Sequence, residues 1–108
     1  MGSQTVADEA GDLRAKLGDE MGSIDWPFLA VHARSGHLIL VHQEINLLDA
    51  AVAIANNDTA TVGPWVDSDR LTKPSEEEQN AYGETPGRYF QFVVVAPFVL
   101  AQEIQLNH

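Results

Sequence analysis

The chain has 108 residues and no cysteine, and its 16 acidic residues against 6 basic ones give a formal net charge of −10 at pH 7. This length fits one domain, and the missing cysteines exclude disulfides, thiolate metal sites and cysteine nucleophiles. Nucleic acids and anionic membranes bind through lysine and arginine, so we expect neither as a partner. Without disulfides or an N-terminal leader of basic and apolar residues, we expect a cytoplasmic protein.

The N-terminal third of the chain predicts a flexible start and two helices. Residues 1–7 are predicted to be a disordered segment, and residues 8–108 to form the single domain. A first helix is predicted from Asp8 to Met21, because leucines and methionine recur there every four residues. A second helix is predicted with Asp25 as its N-cap and Pro27 in its first turn, where the missing N–H of proline costs nothing.

The middle of the chain predicts a strand followed by a buried helix. Gly36 is expected to end the preceding helix in a left-handed conformation. The apolar run His37–His42 is typical of a short strand. Asn46 is then predicted to cap a helix over residues 47–55, and this helix is apolar on nearly all sides. We expect it to be the central helix, packed on the sheet.

The segment after this helix alternates between helix and strand. Asp58 is predicted to cap a helix, but Pro64 in the interior of that helix predicts a kink, or a break into two short turns at Gly63-Pro64. Residues 71–73 are expected to form a brief strand. Ser75 and Glu78 match a capping box and therefore predict the start of a further helix.

The most hydrophobic stretch of the chain runs from Phe90 to Ala101, where ten of twelve residues are hydrophobic. It predicts one strand, beginning at Arg88 and covered on both faces, with Pro97 at a bend, a bulge or an edge. A short terminal helix after Pro97 is the alternative. The predicted fold is α+β, with four to five short helices on a small two- to three-stranded sheet. The C-terminal apolar strand is expected at its centre, against the helix over residues 47–55.

Histidines and carboxylates between residues 32 and 49 are the candidates for metal chemistry. His32, His37 and His42 are spaced by five, and Glu44 and Asp49 follow. Residues five apart on a strand point to opposite faces, and two ligands do not complete a zinc site. The spacing therefore predicts no metal site, and His37, His42 and Glu44 stand as the candidate ligands if one exists.

No other pattern predicts chemistry. No serine lies in a Gly-x-Ser-x-Gly elbow and no glycine-rich loop resembles a phosphate cradle, so we predict no catalytic residue and no cofactor. Trp26 and Trp65 lie on apolar helix stripes, which is typical of core residues and also of binding hot spots. Trp26, Trp65 and Phe98 are therefore the candidate interface residues.

The order of the apolar segments resembles a bacterial family catalogued as domain of unknown function 2288, over about residues 13 to 104. The resemblance is carried by Ile24-Asp25-Trp26, Gly36 to Val41, Ile45 to Ala51, Asn57-Asp58, Val62, Trp65-Val66 and Val93 to Glu103. Pro64 departs from the family pattern. The resemblance implies a small, soluble, single-domain bacterial protein and assigns no catalytic residue.

Three functions remain open from the sequence. The first is a non-catalytic cytoplasmic module that binds a protein partner or a second copy of itself, for example by pairing the apolar strand through an open sheet edge. The second is a small metal-assisted or acid–base enzyme that uses His37, His42, Glu44 and Asp49. The third is a small-ligand sensor, which needs a pocket that sequence does not reveal.

Overall fold

The computed structural model describes residues 13–85 and 87–104. Its strands are β1 (Gly22–Asp25), β2 (Leu38–Val41), β3 (Leu71–Thr72), β4 (Tyr89–Val95) and β5 (Phe98–Glu103). Its helices are α1 (residues 13–20), α2 (Trp26–Arg34), α3 (Leu47–Ala55), α4 (Thr59–Asp67) and α5 (Glu76–Glu84). The predicted disordered segment and the first residues of the predicted first helix lie outside the described residues.

The strands form one sheet in the order β1-β4-β5-β2-β3. The pair β2–β5 is parallel, and the other three pairs are antiparallel. The α+β class is confirmed, whereas the prediction of a two- to three-stranded sheet was too small. The undercount has two sources: β1 was assigned to a helix start, and the C-terminal apolar stretch was taken as one strand.

The C-terminal apolar stretch folds into a hairpin. β4 and β5 pair from Phe90↔Glu103 to Val95↔Phe98, with Ala96 and Pro97 in the turn. The prediction of a single strand was wrong, because proline cannot donate to a sheet ladder and here marks the point where the chain reverses. β5 occupies the centre of the sheet, as predicted for the apolar strand.

Coverage differs between the two strands of this hairpin. Val99, Leu100 and Ala101 of β5 are buried in succession, so both faces of that strand are covered, as predicted. Phe90 and Val93 of β4 are buried in the core layers on opposite faces of the sheet, whereas Val94 is 47% exposed. For β4 the predicted coverage of both faces is therefore incomplete.

The core lies in two layers, one on each face of the sheet. On one face α3 packs against β4 and β5, and its buried alanines meet Val93 and Leu100. This contact confirms the predicted position of the central helix. On the other face, α2 packs with Leu38, Phe90 and Ala101 of the sheet and contacts α5.

Local signals in the sequence correctly marked the helix ends. Asn46 Oδ1 accepts a hydrogen bond from the Asp49 amide, and Ser75 with Glu78 forms the predicted capping box. Asp25 is the N-cap of α2 by position, although its side chain makes no capping hydrogen bond. Gly36 follows α2 with a φ of +79°, which favours glycine because it has no Cβ.

Helix α4 continues through Pro64, so the predicted break at Gly63-Pro64 was wrong. Proline removes the hydrogen bond that would reach the carbonyl of Ala60. Ala60 and Pro64 are on the outer side of the domain, so water can satisfy this carbonyl. Ser68 Oγ donates to the Pro64 carbonyl at 2.8 Å and secures the last turn.

Candidate functional site

The candidate histidine ligands lie apart. His37 precedes β2 and His42 follows it, both exposed, and five residues of strand span about 16 Å. Within residues 13–85 and 87–104, no group of three or more His, Cys, Asp or Glu side chains could hold a metal ion. The fold therefore does not assemble His37 and His42 into one site.

The two acidic candidates are engaged in surface ion pairs. Glu44 pairs with Arg70, and its amide donates to His42 Nδ1 at 3.1 Å. Asp49, in the first turn of α3, pairs with Arg14 of α1 at 2.6 Å, and both side chains are about half exposed. These contacts fasten neighbouring elements to one another and form no shared cleft with His37.

The candidate interface residues have different surroundings. Trp26 is 4% exposed and belongs to the core, with ring centroids 4.8 Å from Tyr82 and 5.8 Å from Phe90. Trp65 and Phe98 are partly buried against the core on the α3 side of the sheet. Of the three, Phe98 lines an apolar concave surface.

A polar cleft of about 500 Å³ lies on the α2 and α5 side of the sheet, where β2 and β5 end and β4 begins. We call it the Tyr82 cleft. Its apolar floor is formed by Leu40, Phe90 and Ala101. Its polar walls come from five segments of the chain, so no local sequence motif indicated the cleft. The wall residues are His42, Asp69, Arg70, Lys73, Glu78, Tyr82 and Glu103.

An ordered group of charges lies beside the Tyr82 ring. Arg88 donates to both carboxylate oxygens of Glu103, at 2.6 and 2.7 Å, and its guanidinium lies 4.6 Å from the Tyr82 ring centroid. Burial raises the pKa of Tyr82, Glu78 and Glu103 raise it further, and Arg88 opposes them. The hydrogen bond to Glu103 raises the pKa of Arg88. Tyr82 is therefore a neutral hydroxyl near two carboxylates at pH 7.

Three of the chain's six basic residues surround this cleft. They are Arg70, Lys73 and Arg88. Arg70 and Arg88 are paired with Glu44 and Glu103. Lys73 forms no ion pair with any residue that the structure describes. In a chain of net charge −10, the cleft thus brings together both signs of charge.

An apolar groove of about 440 Å³ lies on the opposite face of the sheet, between α4, the end of α3 and the β2–β3 edge. We call it the Phe98 groove. Its apolar lining is Ile39, Ile54, Val62, Val66, Leu71 and Phe98. Val66 remains 51% exposed, and Thr72 and Lys73 form the polar end of the groove.

The helix beside this groove is flanked by carboxylates. Asp58 caps the start of α4, Asp67 ends it, and Asp69 follows. None of the three forms an ion pair with another described residue. None of these carboxylates lines the groove itself, whose charged lining residue is Lys73, and Asp69 lines the Tyr82 cleft instead.

No helix in the described part of the chain is long and apolar enough to cross a membrane.

The fold defines an α+β domain with a five-stranded mixed sheet covered on both faces by helices. The chain belongs to the family described as protein of unknown function DUF2288, whose model matches residues 12–103. This match confirms the resemblance predicted from the order of the apolar segments. The family description assigns no activity.

A solved structure supports the same fold. The chain is similar to the NMR solution structure of PA1075 from Pseudomonas aeruginosa, with 31% sequence identity and a TM-score of 0.73. The similarity covers 89% of this chain and 92% of that chain. No curated protein matches this sequence.

Proposed function

We propose that this protein is a non-catalytic cytoplasmic interaction module, whose Phe98 groove binds an apolar segment with basic flanks from a partner protein. The observation that carries the proposal is the groove itself, an open and almost wholly apolar concavity on a highly charged chain. Exposed apolar surface of this kind marks interaction sites in soluble proteins. The cytoplasm is proposed because the chain uses no cysteine.

Self-association through the apolar strand, the route that the sequence suggested, finds no open edge. β4 pairs with β1 and β5, and β5 pairs with β4 and β2, so both strands are interior. A second copy would also bring another net charge of −10, and like charges repel. A heterologous basic partner fits the groove better than a second copy does.

The charge of the chain suggests the chemistry of the partner. The net charge is −10, and Asp58 and Asp67 lie at the two ends of α4, outside the lining of the groove. An amphipathic helix with apolar residues at i, i+3, i+4 and i+7 fills such a groove in known recognition modes. Lysine or arginine on its flanks would be attracted by the net negative charge of the chain, which favours association and suppresses acidic competitors.

The test uses two exposed valines on helices at opposite faces of the sheet. Val66, at 51% exposure, lines the groove, and Val31, at 53%, lies on α2 away from it. A displayed peptide library is selected on the wild-type chain, and the enriched peptides are then measured against Val66→Glu and Val31→Glu. Both variants are checked for wild-type circular dichroism.

The proposal expects enriched peptides with helical apolar spacing and basic flanks. Their Kd should rise at least about tenfold with Val66→Glu and stay within about twofold with Val31→Glu, since only the first places a charge in the groove. Failure to enrich any such peptide, or equal binding to the two variants, would contradict the proposal. Light scattering on the wild type reports a dimer separately, and a groove-dependent dimer would overturn the choice of a heterologous partner.

A further inference from the structure

We propose that the Tyr82 cleft binds a small zwitterion that carries both an ammonium and a carboxylate group, for which a free amino acid is the simplest ligand. The proposal does not rest on the function proposed for the Phe98 groove. Leu40 and Ile39 alternate on β2 and line concavities on opposite faces of the sheet, which share only Thr72 and Lys73 at its edge.

The size and the floor of the cleft suit a small molecule. Its volume of about 500 Å³ lies within the range of ligand pockets, and Phe90 and Ala101 at its floor are almost fully buried. The cleft lies outside the carboxyl ends of β2 and β5, the parallel pair of this sheet. Leu40 is the partly exposed residue of this floor, and an apolar side chain of the ligand would rest on it.

One end of the cleft is arranged for a cation. Glu103 is engaged through both oxygens by Arg88, so Glu78 is the carboxylate at this end without an ion pair to any described residue. After burial, Glu78 is the largest influence that raises the pKa of Tyr82. Glu78 uses one oxygen, Oε1, to accept the Ser75 amide of the capping box. Its other oxygen, with the Tyr82 hydroxyl, can accept from a ligand ammonium. No hydrogen bond from this hydroxyl occurs within the described residues.

The other end of the cleft is arranged for an anion. Lys73 follows β3 at the sheet edge and has no carboxylate partner in residues 13–85 or 87–104. Arg70, on the same side, is paired with Glu44 and adjoins Asp69, so Lys73 is the cation that a ligand carboxylate would meet. A dianion such as phosphate would be repelled by Asp69 and Glu78, whereas a monocarboxylate that carries its own ammonium matches both ends.

The experiment measures the full-length chain with each of the standard amino acids at low ionic strength, first by thermal shift and then by calorimetry. A ligand that binds the folded state raises Tm. For any amino acid that binds, the matching amine without carboxylate and the matching acid without amine are the comparison probes. We expect the zwitterion to bind at least about tenfold more tightly than either probe, because each probe leaves one charged end unpaired.

Two pairs of variants locate the site. Glu78→Gln removes the charge and keeps the capping box, which accepts Glu or Gln, while Glu77→Gln changes an adjacent exposed carboxylate outside the cleft. Lys73→Gln is matched by Lys16→Gln on α1, the other lysine of the chain. Glu78→Gln and Lys73→Gln should each raise Kd about tenfold, and the two controls should leave it within about twofold.

The results of these measurements test zwitterion binding in the Tyr82 cleft separately from peptide binding in the Phe98 groove. Absence of binding by every standard amino acid overturns the proposal, and so does an amine that binds as tightly as its parent amino acid, or binding that survives both Glu78→Gln and Lys73→Gln. Lys73 also borders the Phe98 groove, so Glu78→Gln is the variant that separates the two surfaces. Peptide binding should persist in Glu78→Gln, and amino-acid binding should persist in Val66→Glu.

Discussion

Arg88 binds Glu103 through two parallel hydrogen bonds, from Nε to Oε2 at 2.6 Å and from Nη2 to Oε1 at 2.7 Å. The pair joins the residue preceding β4 to the last residue of β5, and both side chains are less than a third exposed. Bidentate geometry and partial burial distinguish this pair from the exposed pair of Arg14 and Asp49. Its position closes the open end of the hairpin beside Tyr82.

Replacing Arg88 should therefore destabilise the fold more than replacing Arg14. Arg88→Ala leaves Glu103 partly buried without its partner, and we expect the free energy of unfolding to fall by about 1.5 kcal/mol. Arg14→Ala breaks an exposed pair and should cost less than about 0.5 kcal/mol. Urea unfolding of both variants and the wild type measures the difference. Equal costs would show that the hairpin pair contributes no more than a surface contact.

The stability of the protein should depend on the ionisation of Tyr82 at high pH. Its pKa in the folded state lies above the usual tyrosine value of 10.0, through burial and then through Glu78 and Glu103. At a pH between the pKa of the unfolded chain and that of the folded state, the folded state therefore keeps the phenol proton that the unfolded chain has lost. The resulting stabilisation is complete below about pH 10 and is lost as the pH rises through the folded pKa.

Tyr82→Phe should remove this part of the pH dependence. The chain has two tyrosines, and Tyr89 is exposed, so Tyr89→Phe is the matched control. Unfolding free energies measured from about pH 9 to about pH 11 should fall less steeply for Tyr82→Phe than for wild type or for Tyr89→Phe. Ultraviolet titration should show the phenol with the raised pKa in the wild type and in Tyr89→Phe but not in Tyr82→Phe, and a titration without that loss would contradict the prediction.

The caps of α3 and α2 predict unequal costs for two similar substitutions. Asn46 Oδ1 accepts the Asp49 amide at 3.1 Å, so Asn46→Ala should destabilise the fold by about 1 kcal/mol. Asp25 occupies the same position in α2 without a capping hydrogen bond from its side chain, and Asp25→Ala should cost only a few tenths of that. Thermal unfolding ranks the two variants, and the reverse order would refute the assignment of the caps.

Two neighbouring valines of β4 test how the hairpin is covered. Val93 is fully buried against Leu100, while Val94 is 47% exposed. Val93→Ala removes two buried carbons and leaves a cavity, so we expect a loss of about 2 kcal/mol. Val94→Ala should stay within about 0.5 kcal/mol of wild type. Similar losses at both positions would contradict the exposure of Val94.

The sequence determined those features that depend on neighbouring residues. Asn46, Ser75 with Glu78, and Gly36 marked helix ends correctly, because a cap or a left-handed glycine acts within one turn of chain. His37 and His42 flank β2, and their separation follows from the length of strand between them. Composition and apolar spacing were sufficient for the α+β class.

Only the tertiary structure decided which distant segments meet. β1 is a strand because Gly22–Asp25 pairs with Tyr89–Phe92 across the sheet, a partnership that local propensity does not encode. Trp26 is a core residue because Tyr82 and Phe90 surround it. The parallel pairing of β2 with β5 brings residues as distant in sequence as Leu40 and Glu103 together in the Tyr82 cleft. Such pairings depend on burial and on chain closure over the whole domain, so no window of the sequence contains them.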